Sequence, residues 1–242
     1  MLALPQARIL AQQNSKLYTD ISSWTYNSKA TLPTDTTAHI VTVLTASPPA
    51  VGSLVSLKPN GGGFTEQICE VLTVSAGVNF TVEVKGLTTL VTGGTFTSTG
   101  EQLLFKWTMP KGTMQKNDTL IVRAKIWCGI SASLQKIHFK VGGSDFAMTG
   151  FTDNTIVAAK YEKEFSNKND FALQIGDISD SGPLAASALG LYPSARLTLT
   201  KDTLNYDQDI TITCEKPSAT GGFGVDSVQV LLLPSVQSLS YI

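Results

Sequence analysis

Leu103, Phe105, Trp107 and Met109 alternate with Leu104, Lys106 and Thr108. The same two-residue period returns from Leu120 to Cys128, where Leu120, Val122, Ala124, Ile126 and Cys128 alternate with Ile121, Arg123, Lys125 and Trp127. It returns again from Lys136 to Val141. Successive side chains of an extended strand point to opposite faces, so this period marks a strand with one buried face. No long amphipathic helix separates these runs, which argues against parallel β-α-β units and for antiparallel sheets. The alternation confines the chain to the all-β class.

Turn residues then divide the chain. His39–Leu44, Val51–Lys58, Glu66–Val74 and Val78–Lys85 read as short strands, broken by Pro48-Pro49, Pro59-Asn60-Gly61-Gly62-Gly63 and Ser75-Ala76-Gly77. The Gly- and Thr-rich stretch Val91–Gly100 reads as a linker. Further strands are expected at 155–165, 169–176, 195–201, 208–215 and 225–233. The longest strand-free connection is 177–194, with a short helical turn at Leu184–Leu189. Residues 2–18 hold the one stretch with helical spacing (Ala3, Ala7, Leu10, Ala11, Asn14), read as either a docking arm or a frayed terminus. The expected organisation is an N-terminal docking arm (1–37), a small β module used for attachment (38–97) and an antiparallel jelly-roll β-sandwich (98–242).

Charged residues make up only 15% of the chain and the net charge is −1, so no basic balance points to nucleic acid. The polar surface is therefore carried largely by Ser, Thr, Asn and Gln, and Thr suits a half-exposed pleated face. The three cysteines, Cys69, Cys128 and Cys214, are far apart and form no C-x-x-C pair. Cys128 and Cys214 continue apolar alternations and read as small core residues of a protein folded in a reducing compartment. The segment from Met1 to Arg8 lacks the basic and apolar regions of a signal peptide, and no apolar run approaches the ~20 residues of a membrane helix.

Chemistry-bearing clusters are sparse. The two histidines, His39 and His138, lie in different expected modules, and His138 sits between Lys136 and Lys140 on what reads as a solvated strand face. There is no G-x-S-x-G elbow, and Lys111-Gly112-Thr113 lacks the glycine spacing of a phosphate loop. Asp177, Asp180, Asp202, Asp207 and Asp209 read as turn acids, although Asp207 and Asp209 at i and i+2 fall on one face of a strand. Arg123, Lys125, Lys136, His138 and Lys140 form a basic stripe only if their strands pair, and nearby Glu162 and Glu164 answer Lys160 and Lys163. No catalytic residue, cofactor or metal is assigned.

The run Asp118-Thr119-Leu120-Ile121-Val122-Arg123-Ala124-Lys125-Ile126, the Lys136–Val141 strand, the Gly142-Gly143 turn, Thr211-Ile212-Thr213 and Val228–Leu233 together resemble the jelly-roll modules of tailed-bacteriophage virion proteins. The resemblance covers roughly residues 98–236 and lies in texture and strand order. It implies a non-enzymatic virion component: a head fibre, capsid decoration or tail accessory protein. Such a component is commonly a homotrimer, attached to other virion proteins through its N-terminal part and assembled in the bacterial cytoplasm. The alternative is a carbohydrate- or host-receptor-binding module, with Trp127, Tyr161 and Tyr192 as the aromatic faces that stack on sugar. Leu231 and Leu233 break strict alternation and are expected either at a subunit contact or in a strand buried on both faces.

Overall fold

The computed structural model describes residues 6–13, 17–18, 25–27, 39–60, 64–86, 94–96, 100–128, 131–153, 157–177, 196–216 and 223–235. Every regular element among the described residues is a strand. The first half carries β1 (Arg8–Gln13), β2 (Leu17–Tyr18), β3 (Thr25–Asn27), β4 (His39–Leu44), β5 (Leu54–Leu57), β6 (Pro59–Asn60), β7 (Gln67–Ser75), β8 (Asn79–Val84) and β9 (Gly94–Phe96). The second carries β10 (Gly100–Met109), β11 (Thr119–Cys128), β12 (Ser131–Val141), β13 (Ser144–Asp153), β14 (Val157–Asn167), β15 (Gln174–Asp177), β16 (Arg196–Leu199), β17 (Gln208–Lys216) and β18 (Phe223–Leu233). The protein is all-β, with a small N-terminal β module followed by an antiparallel sandwich.

One sheet of the sandwich is four-stranded, in the order β10-β17-β12-β13. The other runs β16-β15-β14-β11-β18 and then continues through β2-β5-β7-β8-β4-β3-β9-β6, so a single hydrogen-bonded sheet passes from the sandwich into the small module. The crossing point is β2, which is antiparallel to β18 at Tyr18↔Gly224 and parallel to β5 at Leu17↔Leu54. Between the two sheets, Leu120, Val122 and Ile126 of β11 meet Ile137, Phe139 and Val141 of β12 and Ile210, Ile212 and Cys214 of β17. Phe146 bridges these layers, with ring centroids 6.3 Å from Phe139 and 5.6 Å from Phe165. A second core of Val41, Val43, Val55, Leu57, Val71, Phe80, Val82 and Val84 fills the small module. Full burial of each such side chain contributes about 1.5–3 kcal/mol.

The β12–β13 hairpin closes on Gly142 and Gly143, whose φ values of 52° and 79° are both positive, as a two-residue mirror-image turn requires. β11 and β14, which flank this hairpin in the chain, pair with each other in the opposite sheet. Residues 119–167 are thus folded over as one unit that gives two paired strands to each sheet.

Three expectations change. Helical spacing within 2–18 gives way, over the described residues, to strand: β1 pairs antiparallel with β18 from Arg8↔Leu232 to Gln13↔Val228, with a bulge between Ile9 and Ala11. An exposed edge of β18 supplies backbone partners that a short isolated helix lacks. The Val91–Gly100 linker contains β9, which pairs with β3 and β6, and Phe96 is buried beside Phe64 at 6.3 Å. Lys163 does not answer Glu162 and Glu164 on a solvated face. The period of β14 turns it inward with Tyr161 and Phe165, and it is 1% exposed. The turn expected at Leu184–Leu189 lies outside the described residues.

Candidate functional site

The loops at one end of the sandwich are cross-braced by side chains. Asp118 accepts the N–H of Gln115 at 2.8 Å and, with its other oxygen, that of Ser235 at 2.7 Å. Asn167 donates to the carbonyl of Gln115 and to Thr203 Oγ1, at 3.1 and 3.2 Å. Thr203 in turn donates to the carbonyl of Phe171. Gln174 donates to the carbonyls of Phe171 and Lys201 and accepts the N–H of Lys201. Asp207 accepts the N–H of Lys111 at 2.8 Å, and the Gly112 N–H donates to the Thr203 carbonyl. Asp118, Asn167, Gln174 and Thr203 are all buried. Most of their polar groups are taken up by neighbouring loop groups, which is how a buried amide or carboxylate avoids a desolvation cost of a few kcal/mol, while Asn167 Oδ1 is buried without a hydrogen-bond partner. Segments 110–118, 167–174 and 200–207 therefore form one rigid cap.

Out of this cap project apolar side chains that the fold does not use. Tyr206 is 67% exposed, Leu204 41% and Leu173 38%. Lys111, Lys116, Lys168 and Asp170 of the same cap segments are also exposed. Asp202 is held below the usual carboxylate range by hydrogen bonds from the Asn205 side chain and the Asn205 and Leu204 backbone. The braced loops thus expose an aromatic and two leucines as well as charged side chains.

The cap lies at the end of the sandwich remote from the small module. β10 begins beside that module, where the Lys58 ammonium donates to the Glu101 carbonyl at 3.3 Å and Leu103 N–H donates to Glu66 at 2.8 Å. It ends at Met109, where the cap starts. β18 likewise begins against β2 and ends beside Ser235 in the cap. At about 3.3 Å per residue, the 10 residues of β10 separate the two ends by roughly 30 Å.

The sequence-derived residues fall elsewhere. Trp127 is partly exposed on the outer face of β11 beside Gly224 of β18, where a methyl group on that glycine would lie 2.0 Å from the indole Nε1. Tyr161 is 6% exposed and packs into the core 6.3 Å from Phe139, so little of its ring faces solvent. Tyr192 lies outside the described residues. Leu231 is 6% exposed and Leu232 3%, so the chain itself covers both faces of β18 here, and Leu233 is half-buried. Asp207 and Asp209 have separate tasks: Asp207 braces the cap, while Asp209 pairs with Lys106 at 2.8 Å and accepts from Thr108 at 2.7 Å. Burial would raise the pKa of Asp209, but those two partners outweigh it and hold the carboxylate low. The basic stripe does not form. Arg123 and Lys125 stand on β11 in one sheet and Lys136, His138 and Lys140 on β12 in the other. Arg123 pairs with Glu162 and Lys125 with Asp226.

His138 is not the solvated residue its neighbours suggest. It is 7% exposed, enclosed by Asp145 of β13 and Glu215 of β17. Nothing in single-sequence spacing links these three positions. The sequence does not reveal Tyr206 and the cap either, because the loop signals there mark turns without showing which turns touch. Among the described residues no group of three or more His, Cys, Asp or Glu side chains is placed to hold a metal ion, and no helix is long and apolar enough to cross a membrane. Comparison with protein-family models, with characterised proteins and with solved structures finds no match to this chain.

Proposed function

We propose that the chain is a non-catalytic structural component of a phage virion, of the head-fibre, capsid-decoration or tail-accessory type. In this reading it attaches through its N-terminal part as a homotrimer and presents the sandwich outward. The observation that carries the proposal is the polarity of the molecule. The small module is joined to one end of the sandwich by a continuous sheet, and a braced loop cap with Tyr206 exposed occupies the opposite end. A rigid body with an anchoring end and a displayed end suits a passive, projecting part, and the texture of residues 98–236 resembles modules that have that role. The test is the mass of the purified protein by light scattering on a sizing column. A mass near three times 25.8 kDa supports the reading, and a stable monomer overturns the trimer.

A second reading, recognition of a host-surface glycan, is favoured by Trp127, whose indole lies beside Gly224 on the outer sheet face and offers a flat aromatic platform. A glycan array separates the two. Binding that is lost in Trp127→Ala or Tyr206→Ala supports recognition, and an array with no hits removes it.

A further inference from the structure

His138 sits on the outer face of the four-stranded sheet, where four strands bring charged groups together. β10 contributes Glu101, β12 contributes Lys136 and Lys140 on either side of the histidine, β13 contributes Asp145, and β17 contributes Thr213 and Glu215. Lys136 binds Glu215 at 2.9 Å, and Lys140 binds Glu101, which also accepts the Thr213 hydroxyl. Three carboxylates thus face two ammonium groups, and one negative charge is left over. Both nitrogens of His138 look at carboxylates: Nδ1 is 3.2 Å from Asp145 Oδ1, and Nε2 is 3.5 Å from Glu215 Oε2. Nε2 is buried without a hydrogen-bond partner. A neutral imidazole donates at one nitrogen and carries a lone pair on the other. In this site the neutral ring therefore turns a lone pair toward a carboxylate, whereas the imidazolium donates at both sides and cancels the residual charge.

We propose that His138 is a proton-operated latch: as imidazolium it ties β12 to both β13 and β17, and its deprotonation loosens that part of the four-stranded sheet. Burial alone disfavours the charged ring, but the hydrogen bond and charge of Asp145, helped by Glu101, outweigh it and the repulsion of Lys140, and hold the pKa above the ordinary value. A group whose folded pKa is raised contributes stability that is complete below the unfolded value of about 6.5 and is lost as pH rises through the folded value. The partners set the lower bound. Lys136 holds Glu215 low, and Lys140 and Thr213 hold Glu101 low against its burial, so both remain ionised while the histidine titrates. The latch is closed in mildly acidic solution and opens toward alkaline pH.

The chain has two histidines, so a His39→Gln background leaves His138 as the single imidazole to follow by NMR. The expected result is a titration midpoint above about 6.5. Asp145→Asn should lower that midpoint by about one unit, a tenfold shift in the protonation ratio. Amide-exchange protection along the β12–β13 and β12–β17 ladders, corrected for intrinsic rates, should fall several-fold from pH 6 to pH 8 in the parent and stay flat in His138→Gln. A midpoint at or below 6.5 in the His39→Gln protein overturns the latch, and that measurement does not depend on any substitution in the cluster. Protection that changes equally in parent and His138→Gln overturns it as well.

Discussion

Asn117 and Asn169, two non-glycine residues with left-handed backbones (φ 63° and 46°), touch one another: the side-chain oxygen of Asn117 accepts the N–H of Asn169 at 2.8 Å. Asparagine is one of the few residues that tolerates this conformation. Two such residues bonded across adjacent cap loops make the cap a place where local strain is held by neighbouring contacts. Asn117→Gly keeps the backbone and removes the acceptor, for an expected loss of about 1 kcal/mol. Asn117→Ala adds the left-handed penalty of roughly 1–2 kcal/mol. Urea unfolding of the two variants should rank them in that order, and equal midpoints would show that the backbone carries no strain.

Glu66 is the corresponding brace at the other end. A bulge between Leu103 and Phe105 interrupts the β10–β17 ladder, and the Leu103 N–H turns to Glu66. Glu66→Ala leaves that N–H without its acceptor, an expected cost of about 1–3 kcal/mol. Burial raises the pKa of Glu66 despite the hydrogen bond from Leu103 and the charge of Lys58. Its contribution is therefore fully present below the unfolded value of about 4.3 and is lost as pH rises through the folded value. Glu66→Gln should gain on the parent in unfolding free energy between pH 4 and pH 7. Parallel pH profiles for the two proteins would refute the shift.

The hairpin glycines make opposite predictions. A methyl group on Gly142 would lie 2.4 Å from Gln208 Oε1 and 3.2 Å from Lys201 Cδ. The Gln208 side chain is not free to retreat, because its Nε2 donates to the Asp202 carbonyl at 3.1 Å. Gly142→Ala should cost about 2 kcal/mol or more, combining this crowding with the left-handed penalty. At Gly143 nothing stands within 4 Å, so Gly143→Asn should stay within about 0.5 kcal/mol. Thermal melts of the pair check both.

Cys69 and Cys214 are buried in separate cores. Burial, with the charge of Glu83 behind it, pushes the Cys69 thiol up to about 12. The thiolate is the reactive form, which protects Cys69, and Cys214 is fully buried, so neither should react quickly at pH 8. A colorimetric thiol reagent should titrate at most one of the three cysteines in native protein and all three in denaturant. Rapid labelling of two would place one of these cores in exchange with solvent.

The period of two makes most of the sandwich legible in the sequence, because each strand with one buried face writes that period directly into the chain. It failed where tertiary neighbours decide. β13 leaves little trace because Ser144–Asp153 carries weak alternation, although the Gly142-Gly143 pair pins its register. Tyr161 is legible as a core residue, since Ala159 and Phe165 share its face, and an aromatic ring by itself does not mark a binding surface. The sequence shows the face that His138 occupies but not its surroundings, because Asp145 and Glu215 reach it from strands whose pairing no single sequence states. The cap was illegible for the same reason: its braces join positions such as Asn167 and Thr203 that only the folded chain brings together.

The pairing of β1 with β18 sets a timetable. Ile9 finds its ladder partner in Leu231, so a segment made early on the ribosome waits for one made at the far end of the sandwich. Until Phe223–Leu233 has left the exit tunnel, β11 lacks one neighbour, β1 and β2 have none on that side, and the sheet that links the two modules cannot close. Closure of this sheet is therefore a long-range event that waits for β18, slow for the size of the unit it completes. Its nascent form offers bare strand edges to any nearby copy of itself.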